Sequence, residues 1–321
     1  MEDLTTEFPT DRGVVRAVNR VSFVLHRGET LGIVGESGSG KSMTARSILR
    51  IVSPPGRIVH GRVFLEQTDL LSLNEREMAK RRGARVAMIF QEPGAALNPV
   101  LTVGEQIMEV LRAHHGMSRG QARTRTVEHL REVGLPAPED RLRSYPHQMS
   151  GGMNQRCAIA MAVACSPDVL IADEPTTALD VTVQAQILNL LGQLTREKGI
   201  GLIFITHDIA AVAQIADRLL VMYAAQIVEE GPTDRIIDDP KHPYTRALLE
   251  ALPTMTTTRG ERLPDIRGSV PDLAEVPSGC PFHPRCLAVL ERCSESPPGL
   301  ERIESERRVS CWLYDEQGQL R

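Results

Sequence analysis

The stretch Gly35-Glu36-Ser37-Gly38-Ser39-Gly40-Lys41-Ser42 constrains what this chain can fold into more than any other. It follows the apolar run Leu31 to Val34 and precedes a run, Met43 to Val52, that reads as helix. Glycines at this spacing let successive backbone N–H groups turn inward around an anion, and the helix N-terminus behind them adds positive potential. In such a cradle Lys41 reaches the β- and γ-phosphates of a nucleotide and Ser42 a Mg²⁺ ion. A glycine-rich turn matches the pattern by chance often enough that the strand before it and the helix after it are what give the match weight.

The rest of the pattern is α/β. Thr30 to Val34, Arg85 to Ile89, Val169 to Ala172 and Leu202 to Ile205 read as buried strands. Val183, Ile187, Leu190, Leu191 and Leu194 fall on one face at helical spacing, as a core-packing helix requires. Between Gln91 and Gly151 the pattern is helical, through Val103 to Ala113 and Arg119 to Val133, and no strand is expected there. After Leu252 the chain turns polar, proline-rich and cysteine-bearing. The expected organisation is an α/β domain over 1–251, β-rich at its N-terminal part and with a helical insertion at about 92–150, followed by a small extension over 252–321.

Two further elements bear on phosphate chemistry. The apolar run Val169 to Ala172 delivers Asp173 and Glu174 at its C-terminal end, the usual ligand edge of such sheets. Successive side chains diverge there, so Asp173 suits the Mg²⁺ side and Glu174 the deprotonation of an attacking water. Alone, such a run is commonplace; beside a phosphate loop it becomes specific. Ser150-Gly151-Gly152 opens an apolar helix that has no phosphate-loop lysine, and a helix N-terminus with a serine hydroxyl and bare amides makes a second anion site.

Charge and composition exclude other classes. The formal net charge is -4, and 3% aromatic residues leave little for base stacking, so no nucleic-acid partner is expected. The basic run Arg76 to Arg85 reads as a solvated helix face. No charged leader with an apolar stretch opens the chain, and no run approaches the ~20 apolar residues of a spanning helix. The expectation is a cytosolic protein that meets membranes through partners. Cys157 and Cys165 read as small buried hydrophobes, whereas Cys280, Cys286, Cys293 and Cys311 crowd into the extension as candidate metal ligands. Four thiolates suffice for tetrahedral Zn²⁺ or for an iron–sulfur cluster.

In combination and order, the phosphate loop, the Ser150-Gly151-Gly152-Met153 signature and the Asp173-Glu174 strand end resemble the ATP-binding-cassette ATPases. Gln91, the turn Ala178-Leu179-Asp180, and His207 stand where that family has its remaining landmarks. The resemblance implies that Gly35 to Met43 bind ATP and that Gln91 senses Mg²⁺, water and a membrane partner. It gives His207 the γ-phosphate contact. It also implies a nucleotide-sandwich dimer, in which Ser150, Gly151, Gly152 and Asp180 serve ATP held with a second subunit.

Finer wording narrows the resemblance to the dipeptide and oligopeptide importer ATPases: Val34 to Ser42, Phe90 to Pro99, Ala172 to Leu188, and His242-Pro243-Tyr244-Thr245. In that branch a segment like Ile266 to Pro271 leads to a cysteine-bearing end, and the branch implies a [4Fe-4S] cluster there, with zinc as the alternative. It also implies two transmembrane permease subunits, a second ATPase subunit that is identical or homologous, an extracytoplasmic substrate-binding protein, and a peripheral place on the cytoplasmic face of the cell membrane. The same motor for nickel, or a soluble cassette ATPase acting as a conformational clamp, are the alternatives. The chain departs from relatives at Asn154, where arginine is usual, and at Ala225, where glycine is typical. The position that commonly stacks on adenine falls near Arg12, with Phe8 the closest aromatic.

Overall fold

Apolar runs flanked by turn residues become strands in the computed structural model, which describes residues 1–91, 96–177, 179–252, 265–315 and 319. Ala178, residues 92–95 and the start of the tail at 253–264 lie outside the described residues. The strands are β1 (Glu2–Thr10), β2 (Gly13–Val21), β3 (Thr30–Val34), β4 (Arg57–Arg62), β5 (Phe64–Leu65), β6 (Thr68–Asp69), β7 (Val86–Ile89), β8 (Val169–Asp173), β9 (Gly201–Thr206), β10 (Arg218–Tyr223), β11 (Gln226–Pro232), β12 (Glu301–Glu304) and β13 (Arg307–Val309). The four strands expected from the sequence are β3, β7, β8 and β9. The chain divides into two units, one of Met1–Val24, Leu31–Leu71 and Thr206–Arg321, the other of Leu25–Thr30 and Ser72–Ile205.

In the first unit β2, β1 and β4 form an antiparallel sheet, and a second run of strands has the order β12-β13-β11-β10-β3. β10 lies parallel to β3 and antiparallel to β11. Every residue of β3 is buried, as a strand covered on both faces must be, and the phosphate loop leaves from its C-terminal end. β10 and β11 are joined by the two residues Ala224 and Ala225, both at positive φ (44° and 65°), the conformation of a type I′ hairpin turn.

The tail adds strands that the sequence did not announce: β13 pairs with β11 through Glu229↔Val309 and Glu230↔Arg308. Buried ion pairs hold this seam. Arg307, 2% exposed, donates to Glu229, 0% exposed, at 2.7 Å, and Glu230 accepts from Arg218 and Arg308. The Glu229 carboxylate also accepts the backbone N–H groups of Lys241 and His242, each at 2.9 Å. Removing one member of such a pair strands its partner's charge, so Arg307→Met is expected to cost about 3 kcal/mol in chemical denaturation, with part recovered in the Arg307→Met/Glu229→Gln double variant. A loss under about 1 kcal/mol would mean that the seam does not depend on the pair.

In the second unit β7, β8 and β9 run parallel, in register from Val86↔Val169 and Val169↔Gly201. Between β7 and β8 the described regular elements are helices. Thr102 and Glu105 form a capping box that starts the helix Val103–His115, and Gly116 in the left-handed region ends it. Val103, Ile107 and Leu111, at helical spacing, are fully buried on its inner face. Ser118 and Gln121 start the helix Arg119–Glu132 in the same way. The core-packing helix is Val181–Lys198, with Ile187, Leu188, Leu190, Leu191 and Leu194 buried. Among the described residues no helix is long and apolar enough to cross a membrane.

Candidate functional site

The phosphate loop is shaped by its glycines. Gly35 and Gly40 have φ of 152° and 99°, and a Cβ on either would lie 2.2 Å from the Met222 carbonyl oxygen or 2.5 Å from that of Ala17. Ser39 is buried, and its carbonyl accepts the Ala225 N–H at 3.0 Å, so the β10–β11 turn braces the loop. Ser37 and Gly38 are exposed. The helix Lys41–Ile48 follows Gly40 with no side-chain cap and no acidic residue in its first turn, which leaves its leading N–H groups to serve an anion. Ser42 and Met43 lie in that first turn, half-buried.

Lys41 is 4% exposed, and its Nζ donates to the carbonyls of Gly35 (2.7 Å) and Glu36 (2.8 Å) and to Ser39 Oγ (3.3 Å). The ammonium is thus aimed along the loop. His207, exposed, follows β9, and Asp208 beside it caps the short helix Ile209–Val212. Phe8 is half-buried and its ring packs where a Cβ on Gly56 would sit, 2.4 Å from two ring carbons, while Arg12 is exposed.

The second unit brings Gln91 and Glu174 together. Gln91 Nε2 donates to Glu174 Oε2 at 3.0 Å, and Thr177 Oγ1 donates to the same oxygen at 2.9 Å. The Glu174 N–H donates to the Ile205 carbonyl at 2.8 Å, and the residue sits at φ 47°, a left-handed conformation that a glutamate rarely adopts. Asp173 closes β8 and is 2% exposed. The two neighbouring acids thus stand in different settings, as the divergence of a strand end predicts. Thr177 is a residue that sequence reasoning missed; nothing in the sequence marks its hydroxyl as a partner of Glu174.

Ser150 is the N-cap of the helix Gly151–Val163 and accepts the Met153 N–H at 3.3 Å; with Gly151 it is exposed. Gly152 has a packing reason, since a Cβ there would meet Val183 Cγ1 at 2.8 Å. Asn154 Nδ2 donates to the Pro146 carbonyl at 3.0 Å and so ties the signature helix to the turn before it. Asp180 accepts the Val183 N–H at 2.9 Å, capping the core-packing helix.

In the first unit the four cysteines of the extension line one small enclosed cavity with His242, Phe282, His283, Trp312 and Leu313. Burial pushes the thiols of Cys280 and Cys311 up to about 11 and about 12, and raises that of Cys286. Among the described residues, no three His, Cys, Asp or Glu side chains converge closely enough to hold a single metal ion. Cys157 is buried in the signature helix, its thiol pushed up to about 12 by desolvation, and Cys165 is likewise buried.

Comparison with known proteins identifies the family. The ABC transporter family profile matches residues 18–177, and that of the oligopeptide/dipeptide transporter C-terminal region matches residues 228–293. The dipeptide transport ATP-binding protein DppD of Haemophilus influenzae is 49% identical over 99% of this chain and 96% of its own length. The oligopeptide transport ATP-binding protein OppD of Bacillus subtilis is 48% identical over 98% of this chain and 88% of its own. Of solved structures, the dimeric bacterial ABC transporter cassette MJ0796 matches with a TM-score of 0.65 at 30% identity, covering 72% of this chain and 97% of that one. A post-hydrolysis state of the same cassette, bound to ADP and Pi, matches with a TM-score of 0.65 at 29% identity. The chain belongs to the ABC transporter family, as an ABC ATPase among the ATP-binding subunits that carry the oligopeptide/dipeptide transporter C-terminal region.

Proposed function

We propose that this chain hydrolyses ATP to power import of dipeptides or oligopeptides, working peripherally at the cytoplasmic face of the cell membrane as half of a nucleotide-sandwich dimer. The observation that carries this is one chain holding both a phosphate loop with an aimed lysine and a glutamate gripped by Gln91 and Thr177. Identities of 46–49% to dipeptide transport ATP-binding proteins along nearly the whole chain support the cargo.

In this reading Gly35 to Met43 bind the nucleotide, and Lys41 reaches its β- and γ-phosphates. Ser42, Gln91 and Asp173 would each serve as Mg²⁺ ligands, and the ion would neutralise charge on the phosphate oxygens. Gln91 steadies Glu174, which takes the proton of the attacking water, and His207 donates to the γ-phosphate. Ser150, Gly151, Gly152 and Asp180 act on ATP held with a second ATPase subunit, identical or homologous, so binding closes the dimer and hydrolysis reopens it. Two transmembrane permease subunits take up that motion around residues 91–99, and an extracytoplasmic substrate-binding protein delivers the peptide. The division into a nucleotide-binding domain, 1–251, with a helical insertion at about 92–150, and an extension, 252–321, belongs to the same reading.

The extension is read as a [4Fe-4S] site, with zinc as the alternative. Four thiols around one cavity, with no carboxylate among its described lining residues, are a soft donor set of the kind that selects iron–sulfur or zinc. Among the described residues these thiols are not drawn together as a metal site, so the reading rests on the donor set and on the resemblance to the branch. Such a group would staple a segment in which Ile303, Val309 and Tyr314 form a small described apolar cluster. Anaerobic purification is expected to give a brown protein with about four irons and four sulfides per chain. One zinc per chain, or a metal-free protein, would refute the cluster. For the cargo, cells lacking this chain are expected to lose dipeptide uptake and keep nickel uptake, and the reverse pattern would transfer the motor to the metal.

A further inference from the structure

We propose that Arg285 is a positioning residue for the phosphate loop, through which the cysteine-bearing segment sets the affinity for ATP. Glu36, the second residue of the loop, is gripped at three points. Its carboxylate takes both arms of the Arg285 guanidinium, Nη1 to Oε2 at 2.8 Å and Nη2 to Oε1 at 3.1 Å. Its N–H donates to the Tyr244 hydroxyl at 2.8 Å, and its carbonyl accepts from Lys41 Nζ at 2.8 Å. The last contact makes the placing of Glu36 a condition for the placing of the ammonium that meets the phosphates. Forked pairing is geometry that a lysine in place of Arg285 could not reproduce.

Arg285 is itself anchored in the extension. Its side chain is 5% exposed, its Nε donates to the Arg267 carbonyl at 2.8 Å and Nη1 to the Tyr223 hydroxyl at 3.3 Å. Its guanidinium lies 5.9 Å from the centre of the Phe282 ring, which packs edge-on against Tyr223 at 5.2 Å. Arg285 ends the turn His283–Arg285, with Cys286 as the next residue and the Cys280 carbonyl accepting the His283 N–H that opens it. The Cys280 N–H in turn donates to the Cys293 carbonyl at 2.7 Å. A shift of the cysteine backbone therefore moves the residue that holds Glu36.

The test measures Kd for a fluorescent ATP analogue and KM and kcat for ATP in the assembled transporter. Arg285→Gln is expected to raise Kd and KM about tenfold and to leave kcat within about twofold. Glu36→Gln, which removes the same pair from its more exposed side, should do the same, and the double variant should be no worse than either single one. Arg285→Lys should fall between. Cys293→Ser should weaken binding too, without adding to Arg285→Gln. Unchanged Kd and KM, additive single effects, or a fall in kcat alone would overturn the proposal. It rests on ATP occupying the phosphate loop, and Lys41→Ala separates the two: normal binding by that variant removes the loop reading itself, whereas lost binding there with normal binding by Arg285→Gln removes this proposal alone.

Discussion

Glu174→Gln is expected to lower ATP hydrolysis by about 100-fold or more while ATP affinity stays within about twofold, because a positioned general base contributes on the order of 10²–10⁴ to such a step. The amide keeps the size of the carboxylate and can still accept from Gln91 Nε2 and Thr177 Oγ1, which meet the native oxygen at 3.0 and 2.9 Å. What it loses is the capacity to take a proton. The backbone at φ 47° is set by the Ile205 carbonyl and the strand end, neither of which the substitution touches. Hydrolysis at the parental rate, measured by phosphate release at saturating ATP, would remove Glu174 from the chemistry.

Lys41→Ala is expected to weaken ATP binding about 100-fold or more, since several charge-assisted hydrogen bonds to phosphate oxygens disappear together. The native ammonium is nearly fully buried and aimed along the loop by the carbonyls of Gly35 and Glu36. Its removal also leaves those carbonyls without that donor, a cost of about 1–3 kcal/mol, so thermal unfolding of the variant serves as the control for folding. A variant that folds and binds ATP with native affinity would show that this loop is not the phosphate site.

Features carried by local patterns were legible in the sequence. Continuous apolar runs gave β3, β7, β8 and β9, helical spacing gave the helix Val181–Lys198, and the phosphate loop announced itself through its glycines, of which Gly35 and Gly40 combine positive φ with no room for a Cβ. What the sequence hid is pairing at long range. Arg285 and Glu36 lie 249 positions apart, and each alone looks like a surface charge. β12 and β13 look like polar tail in the sequence because their buried members include Arg307, whose charge is matched by Glu229 far upstream. Asp180 and Asn154 show a different gap: family position suggested a nucleotide role for the first and a departure at the second, whereas the local structure also uses Asp180 as a helix cap and Asn154 as a tie to Pro146.

Uptake of a labelled dipeptide into vesicles holding the assembled transporter, compared between the native chain and Glu174→Gln, tests the central claim most directly. Uptake that requires hydrolysable ATP and vanishes in Glu174→Gln, with nucleotide binding retained, is the predicted result; dipeptide uptake that proceeds equally with Glu174→Gln or without ATP would contradict it.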